Sequence, residues 1–214
     1  MSRMKKTLCF LVNILSGLVG LSAQEPVDLG LSLKWASCNL GASRPEKYGN
    51  YYAWGETRTK WYYDWETYKW CVRVFDRLTK YNFDAHYGRV DNKQTLEAAD
   101  DAAQVKWGGA WRMPTADELR ELITGCTWEW TVLNKVNGYK VSGKKPGYTD
   151  RWIFLPCAGS RRGFHLEYDT QICELWTASL DTEQFGAFAL SAGESVKCLT
   201  SSRRLGCPIR PVTD

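Results

Sequence analysis

From Val27 onward the chain alternates. Val27, Leu29, Leu31, Leu33 and Trp35 are separated by Asp28, Gly30, Ser32 and Lys34. This is the period-two pattern of a strand with one face in a core and one in water, and it predicts a strand over 27–40. A turn-rich loop over 41–49 leads to 51–56 (YYAWGE), a second short strand by the same rule. The segment 94–105 (QTLEAADDAAQV) places Leu96, Ala99 and Ala103 on one helical face and Asp100-Asp101 on a solvated one. The next helix has the clearest boundaries. Pro114 keeps Met113 out of the helical region, Thr115 and Glu118 have the spacing of a capping box, Leu119, Leu122 and Ile123 share a face, and Gly125 ends the run. Beyond it 127–133 alternates and Asn137-Gly138 signals a tight turn, together predicting a β-hairpin. The segment 151–156 (RWIFLP) predicts a buried strand, and 175–180, 185–190, 196–199 and 207–212 predict four more. Helices and antiparallel strands in this order define an α+β domain.

One region has no period. Residues 57–91 are crowded with rings, among them Trp61, Tyr62, Tyr63, Trp65, Tyr68 and Trp70, in a chain holding 11 Trp and 11 Tyr. Such a composition is unlike that of a disordered linker and predicts a long ordered loop held by its own aromatics. Trp35, Trp107, Trp111, Trp128, Trp152 and Trp176 lie beside strand or helix signals and are expected in the core. The six rings from Trp61 to Trp70 lie where some must be exposed, and flat rings with polar edges suit stacking on a sugar or anchoring a protein contact. They are therefore the candidate ligand-binding residues.

The first 23 residues have the form of a secretory signal. Arg3, Lys5 and Lys6 precede an apolar run from Leu8 to Leu21, and Leu21-Ser22-Ala23 offers a small-residue cleavage site. The run is shorter than the roughly 20 residues a spanning helix needs, so export without a transmembrane anchor is expected. The location is then periplasmic, cell-surface or extracellular. Taking those three cations from the net charge of +4 leaves +1, which gives no electrostatic reason to expect nucleic acid or an anionic membrane as a partner. Residues 24–214 then form one domain, with the aromatic insertion at about 57–91.

Export permits disulfides. Seven cysteines follow the leader (Cys38, Cys71, Cys126, Cys157, Cys173, Cys198 and Cys207), so buried thiols, or one or two bridges with at least one thiol left over, are both open. No CxxC spacing points to zinc. The two histidines, His86 and His165, have no nucleophile motif nearby and suit surface or structural roles. Glu56, Asp64, Glu66 and Asp91 lie in the aromatic region, where a sugar-cleaving acid and base could face each other, but surface carboxylates explain them equally well. Asp100-Asp101 lacks the spaced oxygen ligands of a calcium loop. No metal or cofactor is expected, calcium being possible without a motif to support it.

The order of motifs VDLGLSLKWASCNLGA, YGNYYAWGET, WGGAWRMPTADELREL, IFLPCAGSRRG, LWTASL and SSRRLGCPIRPV resembles the Fibrobacter succinogenes major paralogous domain family, over about Val27 to Val212. On that resemblance Trp107, Trp111, Arg112, Pro114, Thr115 and Glu118 form the signature loop and helix, Trp176 marks a central strand and Arg210 the closing one. The resemblance implies a C-type-lectin-like fold, related to the formylglycine-generating enzyme, in which two helices flank a small twisted antiparallel sheet and long irregular loops carry recognition. The implied role is non-enzymatic recognition of a glycan or extracellular protein, through the six rings and the loops around Arg161 and Arg203. The alternative is an enzyme of the formylglycine-generating or carbohydrate-active kind. The chain has no Glu-Pro-Asn, Gln-Pro-Asp or Trp-Asn-Asp triplet of the calcium-dependent lectins. Cys198 and Cys207 are the pair to test for the oxidase branch.

Overall fold

The computed structural model describes residues 24–74 and 77–214, so the expected leader lies outside the described residues. The chain opens with two short strands, β1 (Pro26–Val27) and β2 (Lys34–Ala36), which pair antiparallel. The single strand expected over 27–40 is thus broken. Asp28 Oδ1 accepts from the Gly30 amide at 2.9 Å, and Gly30 sits at φ 75°. That turn reverses the chain, while Leu29 and Trp35 still point inward. The alternation was real, but it recorded inward side chains on both arms of a hairpin rather than one strand.

Residues 51–55 are buried, and the chain turns at Trp54-Gly55, with one ladder bridge from Tyr52 to Cys207 in place of a strand. The aromatic segment beyond them is tied back to this stretch. Tyr63 Oη donates to the Tyr51 carbonyl at 2.7 Å, Tyr68 Oη to the Trp54 carbonyl at 2.8 Å, and Trp70 Nε1 to the Gly55 carbonyl at 2.9 Å. Each ring carries one polar atom, and a buried backbone carbonyl satisfies it. The loop is held as much by these tethers as by ring-on-ring contact.

Helix α1 (Ala102–Trp107) is shorter than the helix expected over 94–105, because Asp101 caps it. Its Oδ1 accepts from the amides of Ala103 and Gln104, and its Oδ2 from the amide of Met113 at 2.8 Å. Asp100 and Asp101 are both buried, which corrects the solvated face assigned to them. Helix α2 (Ala116–Gly125) begins as expected. Thr115 Oγ1 accepts from the Glu118 amide at 3.3 Å, Glu118 Oε2 accepts from the Thr115 amide at 2.7 Å, and Arg112 grips both carboxylate oxygens at 2.8 and 2.6 Å.

Strands β3 (Cys126–Leu133), β4 (Val136–Gly143) and β5 (Trp152–Pro156) form one antiparallel sheet. The β3–β4 turn is Asn134-Lys135, both at positive φ (48° and 67°), and Asn137-Gly138 lies inside β4. Gly138 is there for space, since a Cβ would stand 2.4 Å from the Leu155 carbonyl oxygen. A small hairpin follows, β6 (Ser160–Arg162) and β7 (His165–Glu167), in a stretch for which no strand was expected. Strands β8 (Cys173–Leu180), β9 (Ala187–Ala192) and β10 (Val196–Ser201) form another three-stranded sheet. The strand expected over 207–212 reduces to β11 (Val212–Thr213), which pairs with β2. Pro208 and Pro211 have no amide to donate, so the residues before β11 bond several neighbours singly instead of joining one ladder.

The fold is therefore α+β, with small antiparallel sheets and two α-helices among the described residues. One core cluster gathers Tyr52, Trp54, Met113, Trp176 and Ile209; a second gathers Trp35, Leu119, Leu122, Val141, Leu155 and Leu190. Trp54 and Trp176 lock the first reciprocally, Trp54 Nε1 donating to the Thr177 carbonyl and Trp176 Nε1 to the Tyr52 carbonyl, each at 2.8 Å. Trp152, expected in the core, is instead 42% exposed. It pairs with Ser142 on the face of the β3–β5 sheet opposite to that of Val141 and Ile153.

Candidate functional site

The surface feature that most needs explaining is a cluster of three rings from two distant parts of the chain. Trp61 is 75% exposed and Phe164 57%, with Tyr62 half-buried between them. Ring centroids lie 5.0 Å apart for Trp61–Phe164, 4.6 Å for Tyr62–Phe164 and 5.9 Å for Trp61–Tyr62, with planes tilted by 37–47°. Local backbone chemistry produces the cluster. Tyr63 and Gly163 exchange both amide–carbonyl bonds, at 3.0 and 2.8 Å, which stitches the aromatic segment to the tip of the β6–β7 hairpin. Gly163 turns that tip at φ 57°, and Phe164 follows it outward. With Tyr63 turned into the core, its neighbours Trp61 and Tyr62 stay on the surface side.

Polar groups rim the cluster. Arg162 pairs with Glu167 across the hairpin at 3.2 Å, and Arg204 with Asp64 at 3.2 Å. Lys60 bonds Glu56 at 2.8 Å; burial holds its ammonium below the ordinary value even though Glu56 works the other way. Beneath the hairpin the Glu174 carboxyl is pushed up by burial, with Glu167 adding to the rise and a hydrogen bond from Ser160 opposing it. The assembly is an apolar, ring-lined surface with ion pairs at its margin.

Only part of the expected ligand set is on that surface. Trp61 and Tyr62 are. Tyr63 and Tyr68 are 1% and 2% exposed and serve as the tethers described above, so they cannot meet a ligand. Trp65 packs edge-on against Tyr68 at 5.5 Å. Trp70 is covered by two ammonium groups, Lys69 Nζ at 4.1 Å and Lys80 Nζ at 4.8 Å from its ring. Arg161 lies over the Tyr51 ring at 5.0 Å. Arg203 is 1% exposed, donating to the Tyr81 carbonyl at 2.8 Å, and is part of the interior rather than of a binding loop. Phe164 was missed. Its one sequence signal is a large apolar residue after Gly163 in an otherwise polar run.

The expected signature residues sit as follows. Trp107 and Trp111 meet edge to face at 5.1 Å, the Pro114 carbonyl accepts from the Ala178 amide at 2.7 Å, and Trp176 is fully buried. Arg210 donates to Asn39 Oδ1 at 2.9 Å and to the carbonyls of Ala36 and Phe154 at 2.9 and 2.7 Å.

Several of the residues weighed for catalysis are engaged in the structure, while Glu66 and His165 are exposed. Cys207 belongs to the first core cluster and Cys198 packs against the second, and burial pushes both thiols up, the reverse of what a reactive cysteine needs. His86 packs edge-on against Tyr87. Glu56 also accepts from the Lys69 amide, Asp64 caps a short turn, and Asp91 accepts from the amides of Tyr81, Asn82 and Lys93. Among the described residues no group of three or more His, Cys, Asp or Glu side chains is placed to hold a metal. None of the helices among them is long and apolar enough to cross a membrane.

A concavity of about 620 Å3 lies away from these rings, between β1 and β5, with Trp152 and Arg151 on one side and Asp28 and Lys34 on the other. It has one exposed ring, Trp152, where the cluster has two exposed and one half-buried. No protein-family model matches the chain, and no curated protein or solved structure matches it significantly.

Proposed function

We propose that the protein is an exported, non-enzymatic recognition domain of C-type-lectin-like architecture, akin to the Fibrobacter succinogenes major paralogous domains, that binds a glycan through Trp61, Tyr62 and Phe164. The observation that carries this reading is the exposure of Trp61 and Phe164, packed on each other and on the half-buried Tyr62 and held by a backbone bridge between two segments distant in the sequence. Exposed apolar rings cost free energy in water, and a contiguous set with a polar rim is the usual mark of a binding surface. The inclined planes form a shallow angled cradle that suits the apolar faces of sugar rings, while the arginines and carboxylates at the rim suit their hydroxyls. Near-neutral charge after the leader fits an uncharged ligand better than a polyanion.

The test is a glycan array with the purified protein, followed by titration of the best ligand against variants. Trp61→Ala and Phe164→Ala should each weaken binding about 30-fold, the effect of losing about 2 kcal/mol at an interface hot spot. Trp152→Ala in the concavity between β1 and β5 should leave affinity within about twofold. Silence across the array, or a loss confined to Trp152→Ala, would overturn the assignment. Capture of a protein ligand through the same rings would replace the glycan with a polypeptide partner.

A further inference from the structure

The loop that carries Phe164 begins and ends at two cysteines. Cys157 directly follows β5, and Cys173 is the first residue of β8; both are fully buried, and their sulfurs lie 2.7 Å apart. The backbone around them is fixed. The Cys157 amide donates to the Asn137 carbonyl at 2.9 Å, the Thr170 amide to the Cys157 carbonyl at 2.7 Å, and the Gly159 amide to the Ile172 carbonyl at 2.9 Å. Cys173 is further held in register opposite Ala192. The two side chains are aimed at each other from rigid elements, and little movement separates their contact from the bond length of about 2.05 Å.

We propose that Cys157 and Cys173 are joined by a disulfide in the exported protein, closing the loop that presents Phe164. The bridge itself does not depend on the binding role of the patch; only its consequence for binding rests on that reading. The bond forms by thiol–disulfide exchange with a disulfide oxidant such as oxidised glutathione or a dithiol-exchange protein of an oxidising compartment. One cysteine thiolate attacks the oxidant's disulfide, giving a mixed disulfide and releasing one thiol. The second cysteine thiolate then attacks the protein-side sulfur, forming the protein disulfide and releasing the second thiol. Two electrons pass to the oxidant, and the two protons leaving the cysteines end on its two thiols. Burial pushes the Cys173 thiol well up, so thiolate is scarce once the core has closed, and exchange belongs to the folding chain.

The bridge spans 16 positions and encloses the β6–β7 hairpin entirely. It pins both ends of the hairpin's loop to the β3–β5 and β8–β10 sheets, so that Phe164 meets Trp61 with less freedom to lose on binding.

The full chain is to be refolded once with reduced and oxidised glutathione and once with excess dithiothreitol. Each sample is then alkylated in denaturant, digested without reduction and mapped by mass spectrometry. The oxidised sample should yield a peptide pair joined through Cys157 and Cys173 and a Tm higher by roughly 5–10 °C than the reduced one. Amide exchange over 160–167 should speed up on reduction. The double variant Cys157→Ala/Cys173→Ala should melt with the reduced form and show no response to dithiothreitol. Both residues alkylated as free thiols after oxidative refolding, or either one found joined to another cysteine, would overturn the bridge, as would a double variant that keeps the dithiothreitol response. A mapped bridge whose reduction leaves exchange over 160–167 unchanged would overturn the preorganising role alone.

Discussion

Asp100 shows how far a side chain's role depends on what surrounds it. In sequence it is half of an acidic pair on a helix, an ordinary solvated position. In the fold it is 3% exposed and accepts from Lys69 at 3.1 Å, Lys80 at 2.5 Å and the Tyr81 phenol at 2.7 Å. Those two lysines are the cations over Trp70, so one carboxylate organises a ring that otherwise reads as a ligand platform. Burial works to raise the Asp100 carboxyl, but the hydrogen bonds from Lys80, Tyr81 and Lys69 outweigh it and hold the group below its ordinary value of 3.8. The linkage then has a definite sign. The unfolded chain takes up this proton first as pH falls, so the contribution of Asp100 is fully present above about pH 5 and is lost as pH drops through about 4 toward the folded value. Asp100→Asn removes the charge that both lysines face and should destabilise the fold by about 2–3 kcal/mol at pH 7. Urea unfolding at pH 7 and pH 3 checks this: the gap between wild type and variant should shrink markedly at pH 3. A gap equal at the two pH values would mean that shape, and not charge, holds the cluster.

Among the elements, the ones legible in advance were those written in local chemistry. The start of helix α2 was readable because Thr115 and Glu118 cap it three residues apart; its end was placed correctly at Gly125, but the helix runs through that glycine and passes straight into β3 at Cys126. The β3–β4 hairpin was readable as a pair of strands but not at its turn. Asn137-Gly138 is a strong turn signal, yet the glycine is used where β5 passes too close for a Cβ, and the chain turns at Asn134-Lys135 instead. Asn tolerates the left-handed region and Lys does not, so Lys135 at φ 67° carries strain of about 1–2 kcal/mol, partly offset by the entropy a glycine would lose. Lys135→Gly should therefore raise stability by roughly 0.5–1 kcal/mol, a gain of a few degrees in Tm by calorimetry. A fall in Tm would mean that the Lys135 side chain contributes more than its backbone costs. The β6–β7 hairpin was illegible because strands of three residues are too short to show a period. The candidate site inherited that blindness. Trp61 and Tyr62 could be named, but which rings face outward is decided by the Tyr63–Gly163 bridge, a long-range pairing that no local pattern carries.

At the scale of the whole molecule, the last stretch of chain closes structures laid down by every earlier part. Beyond Leu205 the backbone bonds Arg161 through Gly206, Tyr52 through Cys207, Trp176 through Pro208, Leu40 through Ile209, Ala36 through Pro211 and Arg112 through Val212. Its side chains enter both main cores, Cys207 and Ile209 in one and Val212 in the other. Arg210, fully buried, supplies three further bonds to β2, Asn39 and β5; burial lowers its guanidinium to about 10, so it stays a cation at neutral pH and needs all three acceptors. Contacts this distant in sequence form late and make folding slow, since loop closure must be met before they are gained. They also make the fold all-or-none. Removing residues 206–214 withdraws buried apolar side chains worth about 2–3 kcal/mol each, and hydrogen bonds worth about 1 kcal/mol apiece. That total is comparable with the roughly 5–15 kcal/mol by which a domain is stable at all. A chain ending at Leu205 should therefore show no cooperative thermal transition and no fixed near-ultraviolet circular dichroism, whereas one ending at Val212 should keep both. Survival of a sharp transition in the shorter chain, displaced by only a few degrees, would show that the β3–β5 and β8–β10 sheets stand without this closing strap.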